Sequence, residues 1–155
     1  MSPTRNSVAY FDTAFVVKCY VSEDGCEAVR AAASVMAQLV TSELARAEFA
    51  AAIHRKRREH NIVRRDASAF LTQFDTDCAD GVWSFVPVSS AVIARAWGVL
   101  HDLPTAVYLR AADAIHCASA VEFGLPLIYS SDRHVLKAAL HFKLKGIDVT
   151  VGAGS

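Results

Sequence analysis

The sequence predicts a three-layer α/β fold in which a parallel β-sheet lies between two layers of helices. Two observations carry this prediction. Short apolar runs of three to five residues alternate along the chain with longer segments of helical periodicity. Consecutive runs do not suit hairpins, so the strands should be parallel and connected by helices. The 155 residues contain no internal repeat and no linker, which predicts a single domain, 1–155.

Five apolar runs are the predicted strands. The first, Val8-Ala9-Tyr10-Phe11, is continuously apolar, as is typical of a strand buried on both faces of a parallel sheet. The fourth is bounded by Pro126 on one side and by two serines on the other. The last is expected at an edge of the sheet. The predicted strands cover residues 8–11, 39–41, 83–86, 127–129 and 147–149.

Seven segments are the predicted helices. Ser42 precedes the third, and Ser89 or Ser90 precedes the fifth, at positions where serine caps a helix N-terminus. Gly124 ends the sixth helix, which is long and apolar on almost every side. The first predicted helix begins at residue 13. The second, third, fourth and sixth cover residues 23–38, 43–60, 65–79 and 109–123. The fifth follows residue 90, and the seventh follows residue 132.

Apolar spacing predicts which faces of two helices are buried. In the third helix the pattern i, i+3, i+4, i+7, i+8 gives a core-facing stripe of Leu44, Ala47, Glu48, Ala51 and Ala52. In the fifth helix the residues expected to point inward are Val92, Ile93, Ala96, Trp97 and Leu100.

Composition excludes several classes of protein. The formal net charge is zero, which gives no overall attraction for nucleic acid or a membrane surface. No stretch approaches the roughly 18 apolar residues of a membrane span, and no N-terminal stretch has the form of a signal peptide. The four cysteines include no CxxC pair, which predicts reduced packing residues in a cytoplasmic protein.

Several catalytic and nucleotide-binding motifs are absent from the sequence. Neither GxGxxG nor GxxxxGK[ST] occurs, which argues against a dinucleotide site or a P-loop. HExxH and the GxSxG elbow are missing too, which argues against that zinc site and against a Ser-His-Asp hydrolase.

Three aspartates occupy positions that core packing does not explain. Asp12 and Asp132 each follow a predicted buried strand, and residues just past parallel strands collect at one sheet edge, where ligands bind. Asp113 lies within an alanine-rich helix, where its carboxylate must be buried or face a cleft. Asp12 also suits an N-cap, and one carboxylate can serve both purposes.

Two glutamates in the third helix compete for a fourth acidic position. Glu43 lies in the first turn, where the helix dipole is a sufficient structural reason for a negative charge. Glu48 lies beyond the reach of the dipole and interrupts the predicted stripe, although an ordinary ion pair with Arg46 or Arg55 is the alternative. The pattern favours Glu48 as the functional acid.

Four acids that meet in one crevice predict a divalent cation. Oxygen ligands of this kind suit Mg²⁺ or Mn²⁺, which are held by a few carboxylates and keep several waters. Such ions support hydrolysis of a phosphodiester. Without metal, repulsion should raise the pKa of at least one acid. The Ser130 hydroxyl is a candidate for the metal shell or the phosphate, and a purely structural role for it is as plausible.

Basic and imidazole side chains near these acids have open roles. Arg110, three residues before Asp113, suits either an ion pair with it or a phosphate contact. His116 is expected to be a hydrogen-bonded helix residue rather than a catalytic base. The basic segments at 54–60 and 64–65 suit either a solvated turn or a phosphate-contacting patch at the tip of a helical hairpin.

Four segments resemble the successive motifs of PIN-domain ribonucleases, and most closely those of VapC toxins from bacterial toxin–antitoxin pairs. They are YFDTAFVVKCYVSE, TSELARAEFAAAIHRK, LRAADAIHCASA and IYSSDRHVLKAA, in that order along the chain. The resemblance implies a five-stranded parallel sheet flanked by about seven helices. It also implies Mg²⁺- or Mn²⁺-dependent endonucleolytic cleavage of tRNA or ribosomal RNA, a homodimer, and an inhibitory VapB-type antitoxin. The family's site residues fall on Asp12, Glu48, Asp113, Asp132 and Ser130, the last in a position where threonine is common.

Three other functions remain to be weighed. A haloacid-dehalogenase-type phosphatase needs a second aspartate two residues after Asp12, where this chain has Ala14. A receiver domain needs paired acids at the first strand and a late lysine, and neither is evident. A non-catalytic binding module would keep the fold and an idle acidic pocket.

Overall fold

The computed structural model describes residues 7–152, so the first six and last three residues of the predicted domain 1–155 lie outside it. Five strands and seven α-helices occur in this part of the chain, with a short 3₁₀ helix at Ala139–Phe142. In chain order the elements are β1 (Val8–Tyr10), α1 (Thr13–Tyr20), α2 (Cys26–Ser34), β2 (Gln38–Ser42), α3 (Leu44–Arg58), α4 (Arg64–Ala79), β3 (Trp83–Val86), α5 (Ser90–Asp102), α6 (Ala111–Glu122), β4 (Leu127–Tyr129), α7 (Arg133–Ala138) and β5 (Lys145–Ile147).

All strand pairs are parallel, as predicted, but the five strands form two hydrogen-bonded ladders instead of one. β1, β2 and β3 form a sheet in that order, and β4 pairs with β5. The ladders meet at their carboxyl ends, through a bridge between Phe11 and Tyr129 and a hydrogen bond from the Asp12 amide to the Tyr129 carbonyl (3.1 Å). The prediction of a five-stranded parallel sheet is therefore confirmed in the number and direction of the strands, but the ladder of hydrogen bonds is interrupted between β1 and β4.

Two apolar clusters lie on opposite faces of the strands, which gives the three predicted layers. Tyr10 and Ile128 belong to the cluster that includes residues of α5, α6 and α7. Phe11 and Trp83 belong to the other, with Phe15 from α1 and residues of α3 and α4. Neighbouring strand residues such as Tyr10 and Phe11 point to opposite faces, so a continuously apolar strand serves both clusters.

The buried stripe of α3 is displaced by one residue from the prediction. The buried side chains are Ala45, Phe49 and Ile53, whereas Glu48 is only half-buried. The Phe49 ring stacks on Phe74 at 4.2 Å between centroids. Burying phenylalanine and isoleucine removes more apolar area from water than burying alanines, and this difference sets the rotation of the helix.

The inward face of α5 was also predicted too broadly. Val92 and Ala96 are buried, but Ile93 is 46% exposed and Trp97 is 67% exposed. The Trp97 ring stacks on His101, one turn further along the same helix. The prediction was therefore wrong for Ile93 and Trp97, because α5 buries a narrower stripe against α6.

Several predicted boundaries need correction. The second helix is shorter than 23–38 because Gly25, with φ of 79°, holds a left-handed turn before it and β2 starts at Gln38. The sixth helix starts at Ala111, after an extended Arg110. The last strand is 145–147, not 147–149, because Ile147 is the partner of Tyr129. Ser89 caps α5 as predicted, whereas the residue at the N-cap of α3 is Glu43, one place after Ser42.

Tyr20 connects α1 to α4 and β3 through its hydroxyl group. The hydroxyl donates to Asp77 Oδ2 (2.6 Å) and accepts from Trp83 Nε1 (2.8 Å). We expect Tyr20→Phe to lower the free energy of unfolding by about 1–2 kcal/mol, because the indole N–H of Trp83 loses its acceptor. Urea unfolding measures the change.

Tyr108→Phe is the matched control for this substitution. The Tyr108 side chain is exposed, and within residues 7–152 its hydroxyl makes no hydrogen bond, so its removal should leave stability within about 0.5 kcal/mol of wild type. Equal losses in the two variants would contradict the role assigned to the Tyr20 hydroxyl.

Across the described 146-residue stretch, 7–152, there is no helix with the length and apolar character that crossing a bilayer requires.

Candidate active site

A cavity of about 470 Å³ opens beside the carboxyl ends of the central strands. Four acids predicted from the sequence line its wall, and each comes from a different place in the chain: Asp12 after β1, Glu48 in α3, Asp113 in α6 and Asp132 after β4. The two ladders meet at Phe11 and Tyr129, so the residues that follow these two positions are brought side by side. The geometry of the strand ends therefore accounts for the pairing of Asp12 with the loop that carries Asp132.

Asp12 is both a helix cap and a member of the cavity wall. Its Oδ1 accepts a hydrogen bond from the Phe15 amide (3.0 Å), and its Oδ2 accepts one from the Ser130 hydroxyl. The side chain is almost fully buried, and burial raises the pKa of Asp12 from 3.8 to about 6. The hydrogen bond from Ser130 and the proximity of His116 lower the pKa, and the Asp113 carboxylate raises it. A raised pKa was predicted, but burial is a larger cause than repulsion between acids.

Ser130 connects two of the acids from behind the cavity wall. It is fully buried, its hydroxyl donates to Asp12, and its Oγ accepts from the Asp132 amide (2.9 Å). The Asp132 carboxylate in turn caps α7 by accepting from the His134 amide (2.7 Å). Of the two roles considered for Ser130, this geometry provides the structural one: the hydroxyl holds Asp12 and the loop of Asp132 in a fixed relation.

Arg110 forms ion pairs with two of the acids. Its Nε lies 3.0 Å from Asp113 Oδ2, and its terminal nitrogen lies 3.7 Å from Asp132 Oδ2. The guanidinium is exposed and lines the cavity, whereas Asp113 is mostly buried. Of the two roles considered for Arg110, the ion pair with Asp113 is present, and the same side chain also reaches Asp132.

Glu48 is held by two donors on one oxygen. Its Oε1 lies 2.6 Å from His116 Nε2 and accepts from the Thr13 hydroxyl at 2.8 Å. His116 is 2% exposed, and its other ring nitrogen, Nδ1, lies 2.8 Å from the Tyr10 hydroxyl. Because both donors converge on Oε1, Oε2 makes no hydrogen bond within residues 7–152 and is available to a ligand.

The electrostatic environment separates Glu48 from Glu43. Burial raises the pKa of Glu48, but the hydrogen bonds from His116 and Thr13 and the nearby charges outweigh it, so the pKa lies below its usual value. Glu43 is half-exposed, is paired with Arg46 at 3.5 Å and is not part of the cavity wall. The structure thus places Glu48 on the cavity wall and Glu43 outside it, whereas the predicted stripe had placed Glu48 in the core.

Sequence reasoning missed three parts of this site. Thr13 was taken only as the first residue of α1, and Tyr10 only as a core residue of β1. A buried tyrosine hydroxyl requires a hydrogen-bond partner, and that requirement was the available signal for Tyr10. An ion-paired group at the mouth was also missed, in which Glu23 accepts from Lys18 (3.1 Å) and Lys56 (2.5 Å).

The chemistry of the donors fits a hard divalent cation. Four carboxylates face one cavity, and oxygen ligands are those that Mg²⁺ and Mn²⁺ prefer. Among residues 7–152, however, no three acidic, histidine or cysteine side chains lie close enough together to hold an ion. Asp113 is paired with Arg110, and one oxygen of Glu48 is taken by His116 and Thr13. The donor set thus suits the ion, while its members are engaged with protein partners.

Comparison with known proteins gives one result at the level of the family. No curated protein matches the chain. The family model described as "PIN domain" matches residues 9–140, which includes most of β1, all four acids of the cavity and α7. A match over most of the chain, with the acids of the cavity inside it, places the protein in the PIN domain family.

Proposed function

We propose that the protein is a Mg²⁺- or Mn²⁺-dependent endoribonuclease that hydrolyses phosphodiester bonds of tRNA or ribosomal RNA. The observation that carries the proposal is the meeting of Asp12, Glu48, Asp113 and Asp132 in one cavity of a PIN domain. PIN domains are generally metal-dependent nucleases, and the fold of this chain is of that nuclease type. The chemistry that the bound ion supplies is activation of a water molecule and stabilisation of the leaving oxygen.

The residues of the chain have separate tasks under this proposal. Asp12, Glu48, Asp113 and Asp132 supply oxygen ligands, and Ser130 keeps Asp12 in place. Thr13 and His116 hold Oε1 of Glu48, which leaves Oε2 free for a ligand. Metal-ligating carboxylates depend on such hydrogen-bonded supports for their orientation.

We further propose that the protein is a VapC-type toxin that forms a homodimer and is inhibited by a VapB-type antitoxin. Support for this finer assignment comes from the resemblance of the four sequence segments to the VapC motifs in their correct order. A basic side chain inserted by an antitoxin would meet the acidic wall of the cavity, where Arg110 already pairs with Asp113 and Asp132.

A second candidate function is a PIN-like binding module with an acidic pocket and no catalysis. One observation favours it, namely that no three potential ligands among residues 7–152 converge on a common point. The phosphatase alternative has no such support, because Ala14 occupies the position where that chemistry needs an acid, and it lines the same cavity.

Paired substitutions in α3 and at its N-cap test the nuclease against the binding module. We expect Glu48→Gln to reduce Mg²⁺-dependent RNA cleavage by about 10²-fold, because it removes the charge of a proposed ligand. Glu43→Gln removes the same charge at the start of the same helix, outside the cavity, and should leave cleavage within about twofold of wild type. Cleavage of total RNA is measured with Mg²⁺, with Mn²⁺ and with EDTA.

The outcome separates the two functions. Cleavage that requires metal and is lost only in Glu48→Gln supports the nuclease. Absence of cleavage by wild type in both metals, or equal cleavage by all three proteins, would remove the nuclease proposal.

A further inference from the structure

The hairpin between α3 and α4 carries a concentrated positive charge on a chain that is neutral overall. Six of the sixteen lysine and arginine residues lie within 54–65, where Glu59 is the one acid. Lys56 is paired with Glu23, but the five arginines are exposed and have no ion-pair partner within residues 7–152. These five arginines are called the α3–α4 tip: Arg55, Arg57, Arg58, Arg64 and Arg65.

Helix stability explains only part of this charge. Arg55, Arg57 and Arg58 lie in the last turn of α3, where cations are favourable to the helix dipole. Arg64 and Arg65 are the first two residues of α4, where the dipole presents its positive end and cations are unfavourable. The hairpin also brings the two groups together, so like charges repel. Arg64 and Arg65 therefore oppose the dipole of α4, and an external anion would offset that cost.

The tip is continuous with the acidic cavity along one face of α3. Glu48, Ala52 and Arg55 are spaced at i, i+4 and i+7, and all three line the cavity. Arg58 lies one turn beyond Arg55, so the distance along the helix axis from Glu48 to Arg58 is about 15 Å. A strand whose phosphate lies at the acids can thus run over the tip within a few nucleotides.

We propose that the α3–α4 tip binds the phosphate backbone of the RNA strand that leaves the cavity. The inference rests on the proposed function, since it takes RNA as the occupant. Guanidinium groups bind phosphate oxygens through two N–H donors at once, and such contacts position a strand without reading its sequence. The neutral charge of the whole chain makes this local patch the route by which a polyanion is attracted to an acidic cavity.

The test uses a substitution whose effects on stability and on binding have opposite signs. Arg64→Glu with Arg65→Glu places acids in the first turn of α4, where they are favourable to the helix, so the urea midpoint should not fall. Binding of a fluorescently labelled single-stranded RNA, measured by anisotropy in EDTA, should weaken at least about tenfold. The slope of log K against log salt should become shallower by about 1.4, for two lost phosphate contacts on a single strand.

A matched control carries the same change of charge elsewhere. Lys143→Glu with Lys145→Glu alters two exposed lysines, one in β5 and one two residues before it, and neither lines the cavity. This variant should leave RNA affinity and salt slope within about twofold of wild type. A loss in the tip variant alone, with its fold intact, supports the proposal.

Two results would overturn it. RNA affinity and slope equal to wild type in the tip variant would exclude the RNA backbone as the occupant of the α3–α4 tip. Equal losses in the tip variant and the control would show a dependence on net charge alone. RNA binding is measured without metal, so its result does not depend on whether the protein cleaves RNA. Absence of cleavage by wild type would remove the proposed function, but the binding data would still show whether the α3–α4 tip contacts RNA.

Discussion

Asp12→Asn should lower metal-dependent RNA cleavage on the order of 10³-fold while the chain remains folded. The substitution removes the charge of the most buried acid in the cavity wall. An asparagine side chain can still accept from the Phe15 amide and donate to Ser130 Oγ, so the cap of α1 is kept. Initial rates of cleavage by wild type and variant in Mg²⁺ measure the effect, and far-ultraviolet circular dichroism checks the fold.

Asp80→Asn is the control for this loss. Asp80 is exposed at the end of α4 and has no part in the cavity, so its replacement should not alter the rate. If Asp12→Asn cleaved RNA as fast as Asp80→Asn, the assignment of Asp12 to the proposed catalytic site would be wrong.

The same substitution should stabilise the metal-free protein at neutral pH. Burial raises the pKa of Asp12 from 3.8 to about 6, so between these values the folded protein binds more protons than the unfolded chain. Stability from this group is therefore fully present below about pH 4 and is lost as the pH rises through about 6. A shift of this size corresponds to at most about 3 kcal/mol. The asparagine side chain of the variant does not titrate. The free energy of unfolding of the variant should therefore increase relative to that of wild type over this pH range.

Urea unfolding in EDTA at a series of pH values measures this difference. The free energy of unfolding of Asp12→Asn minus that of wild type should increase from about pH 4 to above pH 6 and then become constant. A difference that does not depend on pH would contradict the raised pKa. Mg²⁺ added at neutral pH should stabilise wild type and have a smaller effect on the variant, because a ligand stabilises the state that binds it.

The acids at the strand ends could be predicted because their positions follow from topology. A residue just past a buried parallel strand lies at one edge of the sheet, so the positions of Asp12 and Asp132 follow without knowledge of any contact. Glu48 was chosen partly for a wrong reason. Its stripe was expected in the core, whereas Phe49 and Ile53 occupy the core and Glu48 faces the cavity. Periodicity gives the faces of a helix, but the relative size of competing side chains decides which face is buried.

The hydrogen bonds that support the acids could not be predicted in the same way. Tyr10 and His116 are 106 positions apart in the chain, and Glu48 and His116 are 68 apart. No local spacing encodes such pairs, since they depend on where the whole fold places His116 of α6 relative to residues that are distant in the chain. The break in the sheet was equally hidden, because strands of three residues carry no signal for where a ladder stops. Trp97 is exposed because α5 contacts α6 along a narrow stripe, and the width of that contact does not follow from the sequence alone.

The bridge that Arg110 makes between Asp113 and Asp132 places a positive charge in the acidic cavity when no other cation is bound. A guanidinium cannot lose its proton under physiological conditions, so the cavity always contains an internal counter-ion. The ion pairs of Arg110 thus offset part of the repulsion among the four acids from within the polypeptide. A cation that binds Asp113 or Asp132 would therefore have to displace Arg110 from these carboxylates or share them with it.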